Sequence, residues 1–223
     1  MFGRRLPESG WEFRTGQRQA GAILLFSGKT PLSILIEWLT GSRFSHLAGV
    51  ARISTTDLQV QSQRRRWKPT DGLISSWRHL WHVVEATTLN GDPCEILGKR
   101  VKGVQVQDLN RRVECGCPVW VMRPVVAFNE CESQRLTAFL LNRVGEPYSD
   151  FCAVLSATRW LKRWWPSAHS LGRLFCSKLW IEAIMYALEG RRIPDWTAGE
   201  MNPADAVREL VGSGLYLAPE PVI

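Results

Sequence analysis

Residues 171–190 read LGRLFCSKLWIEAIMYALEG, and they place a cysteine where an irregular, glycine-containing stretch gives way to a helical pattern. Leu179, Ala183, Ile184, Ala187 and Leu188 recur at the spacing of one helix face, and Gly190 supplies a C-terminal stop. Cys176 therefore falls in the first turn of a predicted helix. Unpaired backbone N–H groups and the positive end of the helix dipole favour a thiolate there, lowering the pKa from its free value of about 8.5. Such a cysteine is either a nucleophile or a small buried hydrophobe, because free cysteine is among the most buried residue types. Its partners elsewhere in the chain decide between the two.

Upstream of this helix the periodicities alternate between strand and helix. GAILLFS (21–27) reads as a buried strand, and TPLSILIEWLTG (30–41) as a helix with Thr30 as N-cap, Pro31 at its first position and Gly41 as its stop. FSHLAGVARI (44–53) is strand-like, and residues 54–80 are polar, expected to form a long loop or partly helical insertion. WHVVEAT (81–87) is a second clear strand, rich in β-formers, and weaker strands are predicted in VKGVQVQDL and PVWVMRP. Asn129 caps a predicted helix through about Arg143, with Leu136, Phe139, Leu140 and Val144 on one face and Gly145 ending it. Strands grouped in the middle with helices on both sides predict an α+β fold. Residues 1–20 read as a basic arm, 21–207 as one domain and 208–223 as a C-terminal tail.

The 223 residues suffice for one domain with a substantial core. No apolar run reaches the ~18 residues that a spanning helix needs. The N-terminus, MFGRRLPESGWEFRTGQRQA, is charged without the apolar core of a secretory signal, so synthesis in the cytoplasm is expected. The balance of 28 basic against 21 acidic residues, a formal charge of +7, favours anionic partners: nucleic acid, anionic lipid or an acidic wall polymer. In a chain of this size without an export signal, the six cysteines are expected to be reduced thiols. Cys115 and Cys117 form a C-x-C without the second ligand pair that a zinc knuckle requires, so neither a metal nor another cofactor is expected.

A cysteine hydrolase needs an imidazole to move the proton of its thiol and a third polar group to orient that imidazole. Of the four histidines, His46 stands at the start of a predicted strand beside small residues. Glu85 stands inside the apolar strand VVEA, where a carboxylate is unexpected without a partner. If the two strands are neighbours, Glu85 can accept the second ring N–H of His46 and fix its tautomer. Taken singly, His46 also reads as a hydrogen-bonded structural residue, and Glu85 as the solvent side of an antiparallel sheet.

Three stretches, FSHLAGV after the GAILLF strand, the VVEA strand, and GEPYSDF followed by LFCSKLWIEAI, together resemble the circularly permuted papain-fold proteins of the NlpC superfamily, the YiiX-like branch in particular. The resemblance spans roughly residues 20–207. It implies the chain order His, polar third residue, Cys, and so a triad of His46, Glu85 and Cys176 as base, orienter and nucleophile. Two departures stand out: the opening strand begins Gly21-Ala22 where the family commonly has Gly-Asp, and the later Tyr-Asp pair is Tyr148-Ser149, with Asp150 one place on. Tyr148 is either an oxyanion donor, together with the backbone N–H of Cys176, or a core tyrosine. What the resemblance implies is hydrolysis of amide or peptide bonds through a thioester, with peptidoglycan stem peptides as the leading substrate. A lipid-directed acyltransferase or lipase on the same fold is the alternative. Delivery to the cell envelope would then need another route, such as a phage particle or secretion system.

The segment ATRWLKRWWPSAHSLGRLF combines Trp160, Trp164 and Trp165 with Arg159, Lys162, Arg163 and Arg173. It reads as a surface helix with solvated cations, as a contact for an anionic membrane or wall polymer, or, less favoured, as a nucleic-acid surface. RRRWK at 64–68 adds a second basic cluster. A catalytically inactive, basic, Trp-rich binding module is the competing function of a different class.

Overall fold

The sheet grows from its most apolar segment. Strand β1 (Ile23–Phe26) is buried on every residue and carries a strand on each side, β2 (His46–Arg52) and β5 (Val119–Met122), both antiparallel to it. In the computed structural model, which describes residues 18–65 (backbone only from 61), 81–87, 92–114, 116–149, 175–191, 193–198 and 201–222, β2 pairs in turn with β3 (Trp81–Thr87) and β3 with β4 (Gly103–Asp108). A short β6 (Glu220–Pro221) closes the other edge against β5. The result is a six-stranded antiparallel sheet in the order β4-β3-β2-β1-β5-β6. With its helices this is the α+β architecture expected from the sequence.

Helix α1 (Pro31–Thr40) joins β1 to β2, with Thr30 accepting from the Ser33 N–H at its start and Gly41 in the left-handed conformation at its end. Residues 54–80 begin as the partly helical alternative expected, with α2 spanning Thr55–Arg65. A five-residue α3 (Leu109–Val113) follows β4 directly, capped by the Asp108 carboxylate on the Arg111 N–H. Helix α4 (Glu130–Arg143) opens with a reciprocal capping box between Asn129 and Glu132. The helix that begins at Cys176 is α5 (Cys176–Ala187). Past it, α6 (Pro203–Gly212) and β6 show that the chain from 208 onward completes a helix and pairs with the sheet edge. The basic arm as far as residue 17, most of RRRWK, Cys115 and the Trp-rich residues 159–165 lie outside the described residues.

Side chains alternate across the sheet, so each face has its own core. Ile23, Leu25, Leu47, Ala51, Val84, Val104 and Met122 pack beneath α4 and α5, whereas Leu24, Phe26, Ala48, Val50, Val83 and Val121 form the opposite cluster. Helix α5 is buried on more than the one face its periodicity indicated, because Cys176, Trp180 and Ile181 are enclosed as well. Gly49 explains how it gets so close: a Cβ there would stand 2.5 Å from the Trp180 ring. Trp180 then donates its Nε1–H to the Val84 carbonyl at 2.8 Å, fixing α5 across β2 and β3.

Candidate active site

Three residues far apart in sequence meet where α5 begins over the first residue of β2. His46 Nε2 lies 2.7 Å from Glu85 Oε2, and Cys176 is hydrogen-bonded to the His46 ring. With Nε2 engaged by the carboxylate, Nδ1 is the nitrogen left for sulfur. Strand pairing sets the first contact, since β2 and β3 are neighbours as His46 and Glu85 require. The start of α5 sets the second. Phe175 is its N-cap and offers no side-chain hydrogen bond, so the Ser177 backbone is free to bond to the Cys176 sulfur, as does the Leu47 backbone.

Glu85 is 1% exposed, and its carboxylate is fully engaged. Arg112 grips it bidentately, Nε to Oε1 and Nη2 to Oε2, both at 2.9 Å. Gln105 Nε2 donates to Oε1 at 3.1 Å. The guanidinium of Arg112 in turn lies over the Phe26 ring, 4.0 Å from its centre, and the same ring tilts against His46 at 5.8 Å. Phe26 is thus a shared floor for imidazole and guanidinium. A buried carboxylate held by an arginine fork is a fixed acceptor, and it constrains the imidazole plane.

The electrostatics follow from these contacts. Burial opposes ionisation of Glu85, but the charge of Arg112 and the hydrogen bond from His46 outweigh it and hold the carboxyl well below its usual range. Burial likewise disfavours the imidazolium, yet the bonds to Cys176 and Glu85 push His46 up to about 9. For Cys176, burial is overcome by the hydrogen bond and charge of His46, and the thiol is lowered. All three shifts favour a thiolate–imidazolium pair. The contrast with Cys94, a buried thiol that burial pushes up, separates the two cysteines chemically.

Tyr148, the fourth residue singled out in the sequence, is half-buried and packs against Phe175, the residue preceding Cys176. The structure therefore gathers His46, Glu85 and Cys176 into direct contact and sets Tyr148 beside the start of α5. Sequence reasoning missed Arg112, Gln105 and Phe26. One signal for them was present: a glutamate inside an apolar strand demands a cation, and Arg111 and Arg112 are the first basic residues after the VQVQD strand.

No protein-family model matches the chain, and no curated protein matches it significantly. Among solved structures it is similar to the crystal structure of the metalloprotein yiiX from Escherichia coli O157:H7 (DUF1105), at 19% identity and a TM-score of 0.48, over 93% of this chain and 89% of that one. Both Glu85 oxygens are committed to Arg112 and His46, and among the described residues no three His, Cys, Asp or Glu side chains are grouped to share an ion.

Proposed function

We propose that this protein is a cysteine hydrolase of amide or peptide bonds on a permuted papain-like fold, with Cys176 as nucleophile, His46 as general base and acid, and Glu85 as the orienting carboxylate. The observation that carries the reading is the continuous hydrogen-bonded chain from Arg112 through Glu85 and His46 to Cys176, with the thiol lowered at its end. A merely structural cysteine needs no such chain.

In the proposed reaction the Cys176 proton resides on His46, and the thiolate attacks the substrate carbonyl carbon. Charge gathers on the carbonyl oxygen, where the backbone N–H of Cys176 and the Tyr148 hydroxyl are the candidate donors. The C–N bond breaks as His46 delivers its proton to the leaving amine, leaving a thioester on Cys176. Water, deprotonated by His46, attacks the thioester and restores the thiol. Throughout, Glu85 stays ionised and Arg112 balances its charge, so the imidazole cycles between neutral and cationic forms in one fixed plane.

The leading substrate, suggested by the family resemblance, is the stem peptide of peptidoglycan. The test is digestion of purified peptidoglycan, free of lipid, by the wild type and by Cys176→Ala, with products read by chromatography and mass spectrometry. New peptide termini that depend on Cys176 support the reading. Turnover of acyl lipids with none of wall fragments would transfer the site to the lipid-directed alternative, and thiol-independent binding without turnover would favour the binding module.

A further inference from the structure

Helix α1 is built the wrong way round for a surface helix. Its sequence, PLSILIEWLT, has a single charged residue, Glu37, and that carboxylate is half-buried, accepting from the Ser27 hydroxyl at 3.1 Å. The exposed positions are instead Pro31, Ile34, Leu35 and Trp38, an i, i+3, i+4, i+7 stripe. Ile34 is 57% exposed and Trp38 77%. Cations stand at both ends: Lys29 is exposed just before the helix, and Arg43 just after it. At the C-terminal end, a cavity of about 380 Å³ opens between the Gly41–Phe44 turn and α6, lined by both Arg43 and Arg208. Arg43 lies against the Trp120 ring, and Arg208 pairs with Asp205.

We propose that α1 seats this protein on an anionic lipid surface, with Ile34, Leu35 and Trp38 entering the interface and Lys29, Arg43 and Arg208 meeting lipid phosphates. An apolar stripe with an indole near one end and cations beyond both ends matches the layering of a bilayer surface, apolar below and phosphate at the rim. A second copy of the chain fits less well. A ten-residue helix is only about 15 Å long, too short for its one exposed stripe to supply by itself the roughly 800 Å² per partner of a stable interface. Facing copies would also bring like charges together. The chain's formal charge of +7 adds long-range attraction to anionic lipid.

The seat is tied to the site. The Gly28 N–H donates to Ser45 Oγ at 2.9 Å, and Ser45 Oγ donates to the Phe26 carbonyl at 3.3 Å, so both loops flanking α1 are tied to the strand ends that carry Phe26 and His46. Docking through α1 would therefore fix how the candidate active site faces the lipid. The proposal holds whether or not the site is catalytic.

The test is co-sedimentation of the full chain with vesicles of phosphatidylcholine alone and of phosphatidylcholine mixed with phosphatidylglycerol, repeated with Cys176→Ala to keep it separate from turnover. The wild type and Cys176→Ala are expected to partition alike onto the mixed vesicles. Ile34→Ser/Trp38→Ser should weaken partitioning by about tenfold or more, and Arg43→Gln by about fivefold on anionic vesicles only. Trp38→Ser alone and Arg43→Gln provide readouts if the double variant does not fold. Failure of the wild type to bind mixed vesicles, or undiminished binding by the variants, overturns the proposal. So does sedimentation velocity showing a dimer that Trp38→Ser dissolves, which would give the stripe to a second copy.

Discussion

Replacing Arg112 by Met tests whether the buried ion pair organises the site. The methionine keeps an unbranched, apolar side chain against the Phe26 ring, so packing is largely preserved while two 2.9 Å hydrogen bonds and one charge are removed from a carboxylate that is 1% exposed. Gln105 and His46 still hydrogen-bond to Glu85, and neither replaces a bidentate cation. Leaving one member of a buried pair uncompensated costs about 3–5 kcal/mol, a large part of the roughly 5–15 kcal/mol that holds a domain folded. Urea unfolding of the wild type, Arg112→Met, Glu85→Gln and the double variant gives the answer as a cycle. The double variant, which removes the buried carboxylate together with the guanidinium, should be more stable than the two single losses add up to, with a coupling of about 2–3 kcal/mol. Arg112→Lys, which keeps the charge but loses the fork, should fall between wild type and Arg112→Met. A loss below about 1 kcal/mol for Arg112→Met, or a coupling near zero, would refute the reasoning.

Other consequences are equally open to measurement. Glu85→Gln removes the carboxylate charge that, beside the hydrogen bond to Cys176, helps to raise His46, so the imidazole should fall from about 9 and the Cys176 thiol should rise toward its ordinary range, read by thiol alkylation against pH. Any thiol-dependent turnover should be bell-shaped: lost on the acid side as the lowered Cys176 thiolate takes up a proton, and lost on the alkaline side near pH 9 as His46 gives up the proton that the leaving group needs. Gly49→Ala forces a Cβ into the Trp180 ring, and an unfolding titration should show a loss of about 1–3 kcal/mol.

How legible was the site? His46, Glu85 and Cys176 each sat in a strong local pattern: two strands of β-forming residues and a long helical periodicity. Backbone pattern fixed their elements, and antiparallel pairing of β2 with β3 did the rest. Arg112 had no comparable signal, because it lies in a five-residue helix directly after a strand, too short for any periodicity to register. Gln105 sat in the alternation VQVQ of a weakly predicted strand; both faces of that strand are covered, and Gln105 donates to the Glu85 carboxylate. Helix α1 shows the converse limit. Thr30, Pro31 and Gly41 announced its ends correctly, but a helix apolar almost all round does not say which face is left to the outside. The last strand, Glu220–Pro221, is two residues long and pairs only because β5 offers an open edge, a tertiary circumstance that no local pattern records.

The most direct test of the central claim is the rate of Cys176 alkylation by iodoacetamide as a function of pH, read residue by residue by mass spectrometry in the folded wild type and in His46→Ala. The account predicts that Cys176 reacts well below the pH at which an ordinary thiol does, ahead of Cys94, whose buried thiol is raised, and that it loses this advantage when the imidazole is removed. A Cys176 that titrates like an ordinary thiol, or whose profile is unchanged in His46→Ala, would contradict the thiolate–imidazolium pair and leave the cysteine as part of the core.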